Sequence, residues 1–400
     1  MNDFVFYTPT RVIFGRDAEE KTGEELKKLG VKNVFIVYGM GSVERSGLLE
    51  RVKNSLEAAG ISFTLFGGAK PNPTLEHAVE GVKAAAEAGA DFILAVGGGS
   101  VIDTAKGIAH GAANPGVDLW DIWTGKHALT KSLPVGAILT IAAAGSEMSD
   151  SAVLTNEETG FKMGINTEFN RCRIAFMNPA LLSTLPKYHL AAGVTDIMMH
   201  TMERYFIPGI KCELTDEIAE GLLRTVMKNG KIIVEDPSNY DAMAEVMWSS
   251  TLSHNNLTEC GRGKDFSVHR IGMALSAAYD HIHGATLSAV WGAWARYQLD
   301  SAPDRFARFA RKVFGIEEAD DMAAAKAGIK AAEDFWKSIG MPVTLQEICG
   351  RKLTEEDMKD LSMRATKNDT VKLSRLKPLG AAQVVEIYRM ASGDGDMGSL

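Results

Sequence analysis

Asp91–Phe92–Ile93–Leu94–Ala95–Val96–Gly97–Gly98–Gly99–Ser100–Val101–Ile102–Asp103–Thr104–Ala105–Lys106 decides the fold of the first half of the chain, because an apolar strand breaks into three glycines and restarts as a helix. Three residues without Cβ let the N–H groups of the turn converge, and the helix N-terminus behind them adds partial positive charge. The expected occupant is a pyrophosphate. A plain strand–helix turn needs one glycine, and three lose backbone entropy for no gain. The spacing is neither the usual dinucleotide fingerprint nor a Walker A loop, which ends in Gly-Lys-Ser/Thr. Taken alone, the stretch indicates phosphate and nothing finer.

Outward from it, strands alternate with helices. Val34 to Tyr38 is a short apolar run closed by Gly39 and Gly41, and Val43, Leu48, Leu49, Val52 and Leu56 carry helical spacing from Val43 to Ala59. A strand over Ile61–Phe66, a Pro71–Asn72–Pro73 break and a helix from Thr74 to Ala88 lead back to Phe92. This βαβα order predicts an α/β fold, a parallel sheet with helices on its faces and ligands at the carboxyl ends of the strands. Gly39, Gly41, Ser42, Asn72, Gly97, Gly98, Gly99 and Ser100 all follow strand ends and could line one crevice. A later strand, Val135 to Thr140, runs into the small-residue loop Ala143–Ala144–Gly145–Ser146–Glu147–Met148–Ser149 at the same edge.

At 400 residues the chain exceeds the size at which one core keeps growing, so two domains are expected. The reading places an α/β dinucleotide-binding domain at 1–182 and an all-helical domain at 183–400. Pro186 suits a helix N1 position, and helical stretches follow: Tyr188 to Phe206, Thr215 to Asn229, Asp241 to Ser253, His269 to Ala278, Ala285 to Leu299, Arg305 to Phe314 and Ala323 to Ile339. Only Ser392 to Ser399 reads as a flexible low-complexity end. A net charge of −8 disfavours nucleic acid and anionic membrane as partners. Cys172, Cys212, Cys260 and Cys349 have no paired spacing, which fits reduced thiols. With no signal peptide and no membrane span in the sequence, a cytoplasmic protein is expected.

The second constellation lies in the helical half. Asp196 and His200 are four apart, so on a helix they share a face and can hold one ion or each other. His269 and His283 could add two nitrogens. On one continuous helix they would stand about 21 Å apart, so the chain must turn back, and Asp280–His281–Ile282–His283–Gly284 offers the break. One carboxylate with three imidazoles suits a divalent transition metal, without separating iron from zinc.

These motifs follow one another in the order found in the iron-containing (group III) alcohol dehydrogenases. Gly97–Gly98–Gly99–Ser100–x–x–Asp103–x–x–Lys106, Gly145–Ser146–Glu147, Asp196–x–x–x–His200 and His269 with His283–Gly284 carry the resemblance from the first strand to near the chain's end. Tyr38–Gly39–x–Gly41–Ser42 is similar to the butanol dehydrogenase and broad aldehyde reductase branch. The resemblance implies a metal, Fe2+ or Zn2+, held by Asp196, His200, His269 and His283. It also implies NAD(P)-dependent interconversion of small aldehydes and primary alcohols, and a homodimer. Thr140, Ser149, Ser151 and Lys162 match the family's cofactor crevice, and Asp103 belongs to its phosphate motif.

Two positions depart from the family. A further histidine common four residues after the third ligand is Met273 here, whose thioether relays no proton at neutral pH, and the common threonine before Gly145 is Ala144. His281 could stand in for the missing relay, although an exposed loop histidine is the expectation. His77, His110, His127, His189 and His254 are read as ordinary surface or core residues. An acidic side chain just after the first strand would bind ribose hydroxyls and repel a 2′-phosphate, so Gly39 favours NADP(H) over NAD(H). Met198, Phe266, Met273 and Trp291 give apolar surroundings that suit uncharged short-chain aldehydes. A metal-dependent lyase of the sugar-phosphate cyclase type, or a polyol dehydrogenase, is the alternative. The lyase would need several basic residues near the metal, where the sequence supplies only Arg204 and Arg270.

Overall fold

The computed structural model describes residues 1–393. The chain forms two compact units, one from Tyr7 to Thr184 and one from Leu185 onward that also takes in Met1–Phe6. The division thus falls after Thr184 rather than after residue 182, and the first six residues belong with the helical unit. The expected low-complexity tail lies, from residue 394, outside the described residues.

The first unit holds eight strands: β1 (Arg11–Phe14), β2 (Asn33–Tyr38), β3 (Ser62–Phe66), β4 (Phe92–Gly97), β5 (Val135–Leu139), β6 (Ser151–Thr155), β7 (Lys162–Asn166) and β8 (Ile174–Met177). Six of them form one sheet in the order β1-β8-β5-β4-β2-β3, every pairing parallel. Its helices are α1 (Thr22–Lys28), α2 (Ser42–Arg45), α3 (Leu48–Ala59), α4 (Leu75–Glu87), α5 (Gly99–Ala113) and α6 (Leu119–Trp123). Every residue of β4 is buried, as a central parallel strand covered on both faces requires. Val34, Ile36, Leu94, Val96, Ile138 and Phe176 alternate along their strands to pack with Leu49, Val52 and Leu56 of α3.

The single helix expected over Val43–Ala59 is two. Gly47, at φ 72°, breaks it, because a left-handed residue cannot continue a right-handed helix, while the apolar spacing runs on across the break. The edge strand β1 and the antiparallel hairpin β6–β7 are additions to the sequence reading.

The second unit is helical, with α7 (Lys187–Tyr205), α8 (Glu213–Glu235), α9 (Tyr240–His254), α10 (Ser267–Tyr279), α11 (His283–Gln298), α12 (Pro303–Phe314), α13 (Asp321–Ser338), α14 (Leu345–Cys349), α15 (Glu355–Ala365) and α16 (Ala381–Ala391). Pro186 stands at the N-cap of α7 with ψ 145°, so the helix begins one residue later than the N1 placement predicts. Trp291 packs in an aromatic core with Phe206, Phe309 and Trp336, which removes it from the substrate surroundings named above. No helix among the described residues is long and apolar enough to cross a membrane.

Candidate active site

Helix α7 carries Asp196 and His200 one turn apart, and both are buried. His269 lies in the first turn of α10, and His283 is the first residue of α11. Asp280, at φ 54°, ends α10 and lets the chain turn back, as the spacing requires. Gly284 then allows close approach: a Cβ there would stand 2.0 Å from the Ala192 carbonyl oxygen of α7. Only glycine lets α11 start against that backbone.

Ligand atoms of Asp196, His200 and His269 lie within 4.8 Å of one another. Asp196 Oδ1 is 3.3 Å from His200 Nδ1, 3.6 Å from His269 Nε2 and 3.9 Å from His283 Nε2. Asp196 Oδ1 and His269 Nε2 are buried, and neither has a hydrogen-bond partner among the described residues. A buried polar atom left unmet costs about 1–3 kcal/mol, and a shared cation would meet both at once. The donor set, one carboxylate oxygen with imidazole nitrogens, fits a borderline divalent ion.

His200 Nδ1 donates to the Asp196 carbonyl oxygen at 2.9 Å. Burial pushes the His200 pKa well below its ordinary value, so the ring is neutral and can offer a lone pair. Burial also disfavours charge on His269, yet the carboxylates of Asp196 and Glu203 outweigh it and raise its pKa. Phe266, left-handed at φ 62°, caps α10 and sets its ring 4.9 Å from that of His269 and 6.0 Å from that of His200, an apolar wall against two of these rings. His254, read from sequence as ordinary, stacks on His200 with centroids 4.1 Å apart. Glu203 escaped the sequence reading as well, although its place three residues after His200 on the same helical face was a usable signal. Met273 is partly buried on α10, and His281 lies 6.0 Å from the Tyr279 ring in the turn.

The phosphate turn belongs to the α/β unit. Gly97 ends β4, Gly98 is the N-cap of α5, and Gly99 and Ser100 open that helix with two of its orphan amides. None of the three glycines has a positive φ. What they provide is space, since a Cβ on Gly97 would meet Val101 Cγ2 at 2.5 Å and one on Gly98 would meet Ile141 Cδ1 at 2.8 Å. Gly39, at the end of β2, lies beside the same helix start, its added Cβ 3.7 Å from Val101 Cγ2. Gly41 precedes Ser42 at φ 92°. The Thr140 amide donates to the Gly97 carbonyl oxygen at 3.1 Å, which holds the β5 end to the turn. Lys162 Nζ donates to Asn72 Oδ1 at 2.7 Å, so two residues distant in sequence meet.

Asp103 has partners within the α/β unit itself. One oxygen accepts from Ser146 Oγ at 2.7 Å and the other from the Val153 amide at 3.1 Å. Lys106, fully buried, donates to the carbonyl oxygens of Ser146 and Ser151, each at 2.7 Å. The two motif residues therefore fasten the Gly145–Ser151 loop to α5. The Ser149 hydroxyl turns inward within that loop and accepts from the Ser151 amide at 3.3 Å.

Residues 9–179 match the family described as iron-containing alcohol dehydrogenase, and residues 190–392 match the C-terminal part of the Fe-containing alcohol dehydrogenase family. The chain is 36% identical over 391 residues to NADH-dependent butanol dehydrogenase A of Clostridium acetobutylicum, across 97% of this chain and 99% of that protein. It is 35% identical over 349 residues to the NADPH-dependent aldehyde reductase YqhD of Escherichia coli, across 87% and 89% respectively. The crystal structure of NADH-dependent butanol dehydrogenase A from Thermotoga maritima matches with a TM-score of 0.93 at 37% identity, over 98% of this chain and 99% of that one. The chain belongs to the iron-containing alcohol dehydrogenase family. Its chemistry is that of an NAD(P)-dependent alcohol dehydrogenase or aldehyde reductase.

Proposed function

We propose that the enzyme reduces uncharged short-chain aldehydes to primary alcohols, using NADPH in preference to NADH and one divalent ion, Fe2+ or Zn2+, held by Asp196, His200, His269 and His283. The observation that carries this reading is the buried pair Asp196 Oδ1 and His269 Nε2, facing each other at 3.6 Å without hydrogen-bond partners among the described residues. When bound, the ion and the cofactor supply polarisation of the carbonyl oxygen and the hydride. Asp196 contributes the negative charge that retains a cation, and neutral His200 contributes a lone pair without repelling one. Phe266 keeps water from the rings it covers. Arg204, the basic residue nearest the ligands in sequence, is held by Glu259 Oε2 at 2.9 Å and the His200 carbonyl oxygen at 2.7 Å, which argues against a phosphorylated substrate and so against the lyase alternative.

The cofactor preference rests on Gly39, which puts no carboxylate at the position directly after β2. The relatives named above divide between NADH and NADPH. Asn72, Ser149, Ser151 and Lys162 are proposed as further cofactor contacts from the loops described above, and Ser42 from the start of α2. A homodimer is supported by β1, an edge strand paired on one side among the described residues, with Phe14 exposed. A cytoplasmic location remains the proposal from composition.

The test is a panel of aldehydes with NADPH and NADH on protein of measured metal content. One divalent ion per chain, turnover of uncharged aldehydes and a higher kcat/KM with NADPH are expected. His269→Ala and His283→Ala should each lose metal and turnover together, and full activity in a metal-depleted variant would remove the mechanism.

A further inference from the structure

We propose that Glu203 is the positioning residue of the metal centre: it fixes the ring of His269 and supplies the second negative charge that makes the site accept a dication. The inference rests on the ligand set proposed above. Glu203 lies on α7, on the face that presents Asp196 and His200, and is buried. Its Oε1 accepts from the His269 amide at 2.8 Å and from His269 Nδ1 at 3.0 Å. A carboxylate can only accept, so Nδ1 carries a proton, and in the neutral ring that a cation would select Nε2 keeps its lone pair. That lone pair is on the atom facing Asp196 Oδ1.

The two ligand histidines that donate through Nδ1 are held by different means. His200 donates to a backbone carbonyl of its own helix, whereas His269, on another helix, donates to a carboxylate. A carboxylate behind a ligand imidazole raises its basicity and fixes its orientation, and losing such a partner costs a metal site about 10–100-fold in affinity. The same oxygen meets the His269 amide in the first turn of α10, an orphan donor that the N-cap Phe266 has no side-chain acceptor to satisfy. Position and charge can therefore be separated. Glutamine keeps an accepting Oε1 for both donors and removes only the charge.

The charge has a second signature. Glu203 Oε2 is buried with no hydrogen-bond partner among the described residues, as is Asp196 Oδ1. Two carboxylates on one helix face, met here by imidazoles and amides, balance an ion of charge two. Without Glu203 the same cation would leave the buried site with net positive charge.

The experiment loads the full chain with Zn2+ and titrates it with a chromophoric chelator, in wild type, Glu203→Gln, His269→Ala and the double variant. Glu203→Gln should hold Zn2+ about 10–100-fold more weakly, while its melting temperature after metal removal stays at or above that of wild type. In the His269→Ala background the same substitution should weaken Zn2+ binding by a smaller factor, because the charge then acts on the ion across space alone and no longer through that ring as well. An equal loss in both backgrounds, a wild-type affinity in Glu203→Gln, or a lower melting temperature of its metal-free form would overturn the proposal. Absence of stoichiometric Zn2+ in wild type, or unchanged binding in His269→Ala, would instead sink the ligand set itself.

Discussion

Valine at position 98 separates the phosphate turn from the rest of the molecule. Gly98 has φ −92°, which any residue adopts, so the substitution brings no backbone strain, but its Cβ meets Ile141 Cδ1 at 2.8 Å and Ile141 Cβ and Cγ1 at 3.1 Å. The strain that a glycine-only conformation would bring is absent, and the expectation narrows to a steric one. Gly98→Val should raise KM for the cofactor about tenfold or more, roughly 1.4 kcal/mol, with metal content unchanged. Equal cofactor KM in the two proteins would reduce the loop to a turn. His110 offers a second residue-scale test. It is fully buried between Ser132 Oγ and Asn170 Oδ1, each at 2.8 Å, and burial lowers its pKa to about 4. The unfolded chain, with a histidine near 6.5, binds the proton first as pH falls, so the stability that neutral His110 contributes is complete above 6.5 and is lost from there down to about 4. Between pH 7 and pH 5 this amounts to about 2 kcal/mol. Urea midpoints should fall further over that interval in wild type than in His110→Gln, and parallel pH slopes would contradict the assignment.

The contact between α7 and α11 sets the geometry of the proposed metal centre at the level of elements. Gly284→Ala places a Cβ 2.0 Å from a helix carbonyl that cannot yield, so the start of α11 must move away and take His283 with it. Overpacking of this kind costs about 1–3 kcal/mol or more, and a lower melting temperature should accompany weaker metal retention. A Gly284→Ala protein that melts and retains metal as wild type does would show that the contact is soft. The motif His283–Gly284 was legible in the sequence, and so were the central strands, because their apolar runs and closing glycines are local signals. Glu203 was legible by its place on the helix face and was missed, whereas its partner ring and the role of His254 were not legible. Their meaning lies in which ring they touch, and nothing in spacing reveals that α9 lays His254 on His200. The hairpin β6–β7 was hidden for a similar reason: Lys162–Met163–Gly164–Ile165–Asn166 is too short and mixed to read as a strand until Ser151–Thr155 pairs with it. Asp103 was legible as part of its motif, but its hydrogen bonds to Ser146 and Val153 were not, since both partners come from far along the chain.

Across the whole molecule, the two units carry the two candidate constellations: amides at strand ends in one, side chains on helices in the other. The units also differ in how far apart in sequence their contacts lie. In the α/β unit β1 opens the sheet, yet Arg11 pairs with Ile174 and Phe14 with Met177. The ribosome therefore releases β1 long before its neighbour exists. Until β8 emerges, the open flank of β5 and the whole of β1 are unpaired strand edges, the state most prone to association with other chains. Closure of the sheet is a late, long-range event and should be slow. On stalled ribosomes, protease resistance of this unit should appear only once residues beyond Met177 have cleared the exit tunnel. Resistance with β8 still inside would mean that the remaining strands hold without their last member, and that nascent chains face a shorter hazard than the strand order implies.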